Sequence, residues 1–187
     1  MKVRNTVVAL ALAALPRLLA AQAAAAAPAA PASTSPVADA FRQQEQRQAR
    51  NLVAAAEVMP AEKFNYRPTP AQMSWAMIQT HLAEGNDLFC SKIGGVAAPK
   101  RTPVDTTASK DQLVARLKET FAFCDTALAK LDDSKLAEPL NLGFGPNPFS
   151  RAFTIMITVG DWQDHYSQES NYLRLNGLLP PTARRGM

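Results

Sequence analysis

The sequence predicts an all-α fold, a four-helix bundle that follows an N-terminal export signal. Three observations support this prediction. Apolar residues recur at helical spacing in four long segments that are bounded by capping residues, prolines or glycines. No segment shows the alternating pattern of a half-buried strand. Two of the connections between the segments are long, which is typical of a bundle that includes a crossover.

The first 23 residues have the organisation of a signal peptide. Lys2 and Arg4 precede an uncharged apolar run, and Ala21-Gln-Ala23 has the small-residue spacing of a cleavage site, so we expect cleavage between residues 21 and 32. The run is too short to span a bilayer core of about 30 Å. Residues 24–34 are rich in Ala and Pro and are expected to form a linker. We therefore expect a periplasmic or secreted protein with no stable membrane span after cleavage.

The two helical segments that come first have recognisable ends. The first is expected over residues 36–59, with Ser35 as its N-cap and a proline at its first position. The second is expected over residues 70–93, with Thr69-Pro70 at its start and a glycine pair after its end. Both segments are long enough to cross a small domain.

The third and fourth segments complete the bundle, which is expected over residues 35–181 with a short tail over 182–187. Ser109-Lys-Asp-Gln112 is a capping box that opens the third helix. Its apolar residues repeat at helical spacing: Leu113, Leu117, Phe121, Cys124, Leu128 and Leu131. The fourth helix is expected over residues 150–176, with Gly177 at its C-terminus.

The net charge excludes a nucleic-acid-binding surface. The whole chain carries +4, but the first 23 residues contain three of the 20 basic residues and none of the 16 acidic ones. Their removal leaves a net charge of +1, which provides no electrostatic footprint for phosphates. We therefore expect a small-molecule substrate or ligand and no nucleic acid, and the sequence leaves open whether the chain forms a homodimer.

Two cysteines, Cys90 and Cys124, allow two interpretations. An exported protein could pair them. Each also occupies an apolar helical position, where a free cysteine packs as a small hydrophobe. Both interpretations stay open, because pairing requires the two Cα atoms to approach within about 4.4–6.8 Å.

The only two histidines of the chain are predicted to face the interior of the bundle. His81 shares a face of the second helix with Met77 and Gly85. Asp161 and His165 lie four residues apart on the fourth helix and project from one side of it, so they can hold a single ion. A hydrogen-bonded Asp–His pair explains the same spacing without a metal, and the spacing alone favours that simpler explanation. The spacing also excludes the di-iron bundle pattern, which requires a Glu-x-x-His on each of two helices.

Two stretches of sequence resemble the DinB/YfiT-like family, and the resemblance covers about residues 35–181. The first is Lys63-Phe-Asn-Tyr-Arg-Pro-Thr-Pro-Ala-Gln72, followed by Ile78-Gln-Thr-His-Leu-Ala-Glu84. The second is Asp164-His-Tyr-Ser-Gln168, which runs into Asn171-Tyr-Leu-Arg-Leu-Asn-Gly-Leu-Leu-Pro-Pro181. The resemblance implies a four-helix bundle of up-down-down-up topology, in which many members hold a divalent metal with three histidines.

The resemblance also implies a ligand set. One family histidine lies on the second helix and two form a His-x-x-x-His on the fourth, so the metal ligands carried over by position are His81, Asp161 and His165. Asp161 stands where the family pattern has histidine, which either gives a two-histidine, one-carboxylate site or marks a member that has lost its metal. The implied cofactor is Zn, Ni, Mn or Fe. Glu84 is a candidate general base or a partner that orients a ligand, although a glutamate in this position is more often a solvated side chain.

The resemblance implies a divalent-metal-dependent enzyme of the hydrolase or transferase type, since characterised members include thiol-dependent transferases and isomerases. Export disfavours a thiol-dependent reaction, because low-molecular-weight thiols are abundant in the reducing cytosol and not outside it. Two alternatives remain: a metal-free bundle that binds a small ligand, and a structural bundle whose metal site is eroded.

Overall fold

The computed structural model describes residues 33–145 and 148–184. The predicted signal peptide over residues 1–23, most of the linker and the last three residues of the tail lie outside this range. The described residues confirm the all-α prediction. Four long helices are present: α1 (Pro36–Val58), α2 (Trp75–Gly94), α3 (Lys110–Leu128) and α4 (Arg151–Leu175).

Contacts between the helices establish their directions. Asn86 donates to Thr120 at 3.1 Å, and Cys90 is joined to Cys124 one turn further along both helices, so α2 and α3 run parallel. The indole of Trp162 donates to Asn86 at 2.7 Å. Gln79, which lies earlier in α2, binds Glu169, which lies later in α4, so these two helices run antiparallel.

The remaining helix, α1, runs antiparallel to α3. Arg42 near its start donates to the carbonyl of Leu128 at the end of α3. Glu57 near its end forms an ion pair of 2.6 Å with Lys118. Since α3 is antiparallel to α4, α1 and α4 run in the same direction, and the topology is up-down-down-up.

The start of α2 differs from the prediction. The helix begins at Trp75 and not at Pro70, because Ser74 is its N-cap and accepts a hydrogen bond from the amide of Met77 at 3.2 Å. Residues 64–74 instead form turns that fold back on the helix, where the amide of Trp75 donates to the carbonyl of Tyr66 at 3.0 Å. The predicted C-terminus is confirmed, with Gly95 at a φ of 67°. A Cβ atom on Gly94 would lie 2.3 Å from the carbonyl oxygen of Ala127, which is a steric clash. The backbones of α2 and α3 can therefore pack this closely at position 94 only because the residue there is a glycine.

The connection between α3 and α4 contains a feature that the sequence did not predict. Pro139–Leu140 (β1) and Phe149–Ser150 (β2) form a two-residue antiparallel pair, in which Pro139 faces Ser150 and Leu140 faces Phe149. The pair is too short to produce an alternating pattern, and a proline occupies one of its four positions. It brings the chain back to the bundle immediately before α4 begins.

The interior of the bundle is mostly apolar, with large side chains from all four helices. Its fully buried members include Leu52, Trp75, Leu82, Leu117, Leu128, Trp162 and Leu173. Cys90 and Cys124 form a disulfide within it, with Cα atoms 5.1 Å apart, which resolves the alternative left open by the sequence. Within the described ranges, no helix has the length and apolar character needed to cross a membrane.

Candidate metal centre

The interface between α2 and α4 consists of four layers of side chains, and each layer contains residues from both helices. From the N-terminal end of α2 the paired residues are Trp75 with Tyr172, Gln79 with Glu169, His81 with His165, and Asn86 with Trp162. The two outer layers are aromatic or hydrogen-bonded to an aromatic ring. The two inner layers are polar, and they contain both histidines of the chain.

One inner layer brings the three predicted ligands together. His81 Nε2 lies 3.2 Å from Asp161 Oδ1, and His165 Nε2 lies 3.5 Å from the same oxygen. The two imidazole rings meet edge to face, with centroids 4.7 Å apart. One donor atom from each residue lies within 4.8 Å of the other two. The helical spacing on α4 and the antiparallel packing of α2 therefore bring both histidines and the carboxylate together.

Two of the three distances between the candidate ligand atoms suit a divalent ion. Ligand atoms that bind at about 2.0–2.2 Å with tetrahedral or octahedral angles are separated by roughly 3.0–3.5 Å. The two pairs that include Asp161 have separations in this range. Gly85 leaves space beside the carboxylate, since a Cβ atom there would lie 3.7 Å from Asp161 Oδ2. Two imidazoles and one carboxylate form a ligand set that first-row transition metals and zinc accept.

The prediction that both histidines face the core was wrong for His81. The side chain of His81 is 47% exposed, whereas that of His165 is 7% exposed and that of Asp161 is 20% exposed. Met77, one turn before His81, is also exposed. The buried face of α2 instead includes Gln79, and His81 lies on the solvent side of the site. An ion held here would be accessible from solvent.

The carboxylate and His81 stabilise each other's charged forms. The hydrogen bond that His81 donates to Asp161 raises the pKa of His81 above its ordinary value, against the opposing effect of burial. Burial alone would raise the pKa of Asp161, but the hydrogen bonds and charges of His165 and His81 outweigh it and lower this pKa to about 2. Asp161 is therefore ionised, and available as an oxygen ligand, at any pH at which the histidines can bind a metal.

Glu84, the candidate general base, lies outside the cluster. It is exposed, one turn beyond His81 on α2, and its charge contributes to the raised pKa of that histidine. A cleft of about 580 Å³ lies on its other side, between α2, α3 and the loop over residues 96–107. Thr80 and Glu84 line this cleft, and none of the three candidate ligand residues does.

The sequence analysis missed a residue of the interface. Gln168, at the end of the second family-like stretch, is half-buried, and its amide donates to Asp164 at 2.7 Å. Glu169 occupies the interior position instead, and its side chain is completely buried. The available signal was the four-residue spacing of Asp161, His165 and Glu169, which places all three on one face of α4.

Comparisons with known proteins agree with this architecture. The family model of the DinB superfamily matches residues 43–168. A DinB-like protein of known structure from Bacillus cereus is similar to this chain, with a TM-score of 0.64 and 17% identity, and the match covers 76% of this chain and 95% of that protein. A second DinB-like protein, from Bacillus subtilis, has a TM-score of 0.60 and 16% identity, and the match covers 74% of this chain and 92% of that protein. A conserved protein from Enterococcus faecalis has a TM-score of 0.57 and 17% identity, with 71% and 92% covered. No curated protein matches this chain. At these identities the solved structures establish the fold alone.

Proposed function

This chain belongs to the DinB superfamily, and we propose that it is an exported enzyme of the hydrolase or transferase type that depends on a divalent metal. The observation that supports the proposal is the convergence of His81, Asp161 and His165, whose donor atoms lie within 4.8 Å of one another. The three residues occupy the positions at which the family resemblance predicts metal ligands. The proposed ion is Zn, Ni, Mn or Fe.

Each ligand residue has a role that follows from its position. His165 is buried and held by the packing of α4, so it forms the inner end of the site. Asp161 contributes the negative charge that two neutral imidazoles lack. His81 is half-exposed and leaves the outer side of the site open to a small-molecule substrate. A divalent ion with three protein ligands retains open positions, where it lowers the pKa of a bound water or polarises a substrate oxygen.

Glu84 is the proposed general base of this site. Its exposed carboxylate is three residues from His81, on the side of α2 that also faces the cleft. This position allows it to accept a proton from a group that approaches the open side of the site. The cleft is then the proposed place for the part of the substrate that does not react.

Metal content tests the proposal. We expect the mature protein, purified without a histidine tag, to contain a stoichiometric transition metal by elemental analysis, and His81→Ala to lose it. His81 is half-exposed, so its replacement leaves the core intact. Gln168→Ala, one turn after His165 on α4 but hydrogen-bonded to Asp164, is the matched control and should retain the metal. A wild-type protein that takes up none of the four ions would contradict the proposal and favour the metal-free ligand-binding bundle.

The proposed location outside the cytoplasm has separate support. The disulfide between Cys90 and Cys124 is typical of proteins from oxidising compartments. A hydrolytic reaction needs no thiol cosubstrate and suits such a compartment better than a thiol-dependent transfer. N-terminal sequencing of the protein from the periplasm or medium should give a first residue between 22 and 32. Recovery of Met1 on a cytoplasmic form would contradict export.

A further inference from the structure

The buried polar layer next to the three ligand residues contains a carboxylate that the proposed function does not use. Glu169 is completely buried in the interface between α2 and α4. The amide of Gln79 donates to its Oε1 at 2.5 Å. No polar atom of the described residues binds its other oxygen, Oε2. An unpartnered buried carboxyl oxygen is costly, so a specific role for it is expected.

The neighbouring candidate ligand, His165, also has a buried polar atom without a partner. His165 points Nε2 at Asp161, and its other ring nitrogen, Nδ1, is buried without a hydrogen-bond partner in the described part of the chain. His165 and Glu169 are four residues apart on α4, so their Cβ atoms are about 6 Å apart on one face of the helix. Both residues are buried, at 5% and 0% exposure. The distance suits one bridging water or a small rotation of either side chain.

We propose that Glu169 is a positioning residue for His165 and accepts a hydrogen bond from its Nδ1–H, directly or through one water, when Nε2 binds the metal. This inference rests on the proposed function. A histidine that binds a metal through one nitrogen has its other N–H free to donate, and a carboxylate partner fixes the tautomer and the ring orientation. Glu169 in turn gains the positively polarised partner that a buried carboxylate needs. Gln79 holds Oε1, which leaves Oε2 for this contact.

The test is the zinc affinity of Glu169→Gln, measured against a competing chromophoric chelator. A glutamine keeps the shape, and its one acceptor oxygen is already used by Gln79, so its NH₂ group faces the Nδ1–H of His165 and cannot accept from it. We expect zinc affinity to fall 10–100-fold, with circular dichroism and the unfolding midpoint retained or improved. Glu169→Asp keeps the carboxylate and should recover part of the affinity.

The matched control is Glu45→Gln. Glu45 is also buried, at 2% exposure, and its Oε1 has no partner among the described residues, but it lies on α1, outside the interface between α2 and α4. Its replacement should leave zinc affinity unchanged. As a second measurement, the Nδ1 proton of His165 in the zinc-loaded protein should exchange slowly with solvent in the wild type and faster in Glu169→Gln.

The outcomes separate this inference from the function on which it rests. If the wild type and Glu169→Gln bind zinc equally, Glu169 is not a positioning residue, and the proposed metal dependence is unaffected. If the wild type binds no zinc but binds one of the other three proposed ions, the comparison is made with that ion. If it binds none of the four ions, the proposed function fails, and the same pair is then compared on an Asp161→His background. On that background a 10–100-fold difference supports the role of Glu169, and equal affinities or no binding overturn it.

Discussion

At the scale of single residues, Asp161 stands at a position where the family resemblance predicts a histidine. A carboxylate in this position supplies charge, and it also pairs with both histidines when no metal is bound. A proton on His81 therefore competes with a metal for the same three side chains. Affinity for the ion then depends on how much of the Asp161–histidine interaction must be lost before the metal binds.

Asp161→His should tighten metal binding. The change restores three imidazoles, which suit Zn, Ni and Fe better than two imidazoles and one carboxylate do, and it removes the internal ion pairs. Calorimetric titration with zinc checks this, with Asp161→Asn as the control of similar shape that removes the charge without adding a ligand nitrogen. A metal-free wild type beside a metal-binding Asp161→His would show that the site is eroded. Weaker binding by Asp161→His would contradict the ligand assignment.

Two buried glutamates should make the protein less stable as the pH rises. Burial raises the pKa of Glu169 from 4.5 to about 8, and burial, with the nearby charge of Asp125, raises that of Glu45 to about 7. The folded state therefore binds more protons than the unfolded state between pH 4.5 and 8. In that window the free energy of unfolding falls with increasing pH. Above pH 8 both groups are ionised in the folded state as well, so they cause no further loss of stability.

Urea denaturation of the metal-free protein at pH 5 and pH 9 measures this effect. We expect the wild type to lose several kcal/mol between the two values, since one pKa unit corresponds to about 1.4 kcal/mol. Glu169→Gln and Glu45→Gln should each reduce the loss, because neither amide ionises. A stability that rises from pH 5 to pH 9 would contradict burial of both carboxyl groups in the protonated form.

At the scale of elements, the helix ends depend on partners distant in sequence. The first turn of α1 follows Ser35, but the side chain of Ser35 does not cap it. The carboxylate of Asp133 accepts from the amides of Val37 and Ala38 instead, at 3.0 and 2.8 Å. Arg151 at the start of α4 donates to the carbonyl of Lys92 near the end of α2 at 3.3 Å and to Glu138 at 2.7 Å. These contacts join the helix ends to one another.

Asp133→Ala should destabilise the fold by about 1–2 kcal/mol, because two amides at the N-terminus of α1 lose their acceptor. Ser35→Ala, at the position that the sequence suggests as the cap, should cost only a few tenths of a kcal/mol. Guanidinium denaturation of the two variants under identical conditions compares them. A larger loss in Ser35→Ala than in Asp133→Ala would show that the local serine is the real cap.

At the scale of the whole molecule, the disulfide links the two parallel helices across the long loop over residues 96–107. Cys90 and Cys124 are 34 residues apart, so their bond closes a large loop in the unfolded chain. Their neighbours already pack closely at Gly94 and Ala127. The bond therefore acts chiefly by restricting the unfolded state and leaves the native contacts between α2 and α3 in place.

Reduction of the disulfide should lower the free energy of unfolding by about 3–4 kcal/mol, the value that chain entropy gives for a loop of this size. Denaturation with and without reductant measures the loss. A Cys90→Ala/Cys124→Ala double variant is the control and should be insensitive to reductant. If reductant leaves the wild type unchanged, the cysteines are not paired in the isolated protein.

Much of the architecture follows from the sequence. Periodic apolar residues, a capping box and terminal glycines predicted four helices, and three of the four have starts within one residue of the expected position. The exception, α2, begins at Trp75 because Ser74 caps it and residues 64–66 pair with its first turn. That pairing is a tertiary contact, which local propensity does not encode. The candidate ligand set could be named from motif position, but the distances between its members could not.

The sequence by itself determined the helical content, the candidate ligands and the polar residues on each helix. The tertiary structure alone decided which of them face inward: His165 and Glu169 are buried, whereas His81 is half-exposed. It also decided that Cys90 and Cys124 pair and that Asp133 caps α1. The physical reason is that helical periodicity fixes angles around one axis, whereas burial and contact depend on how that axis is rotated against its neighbours.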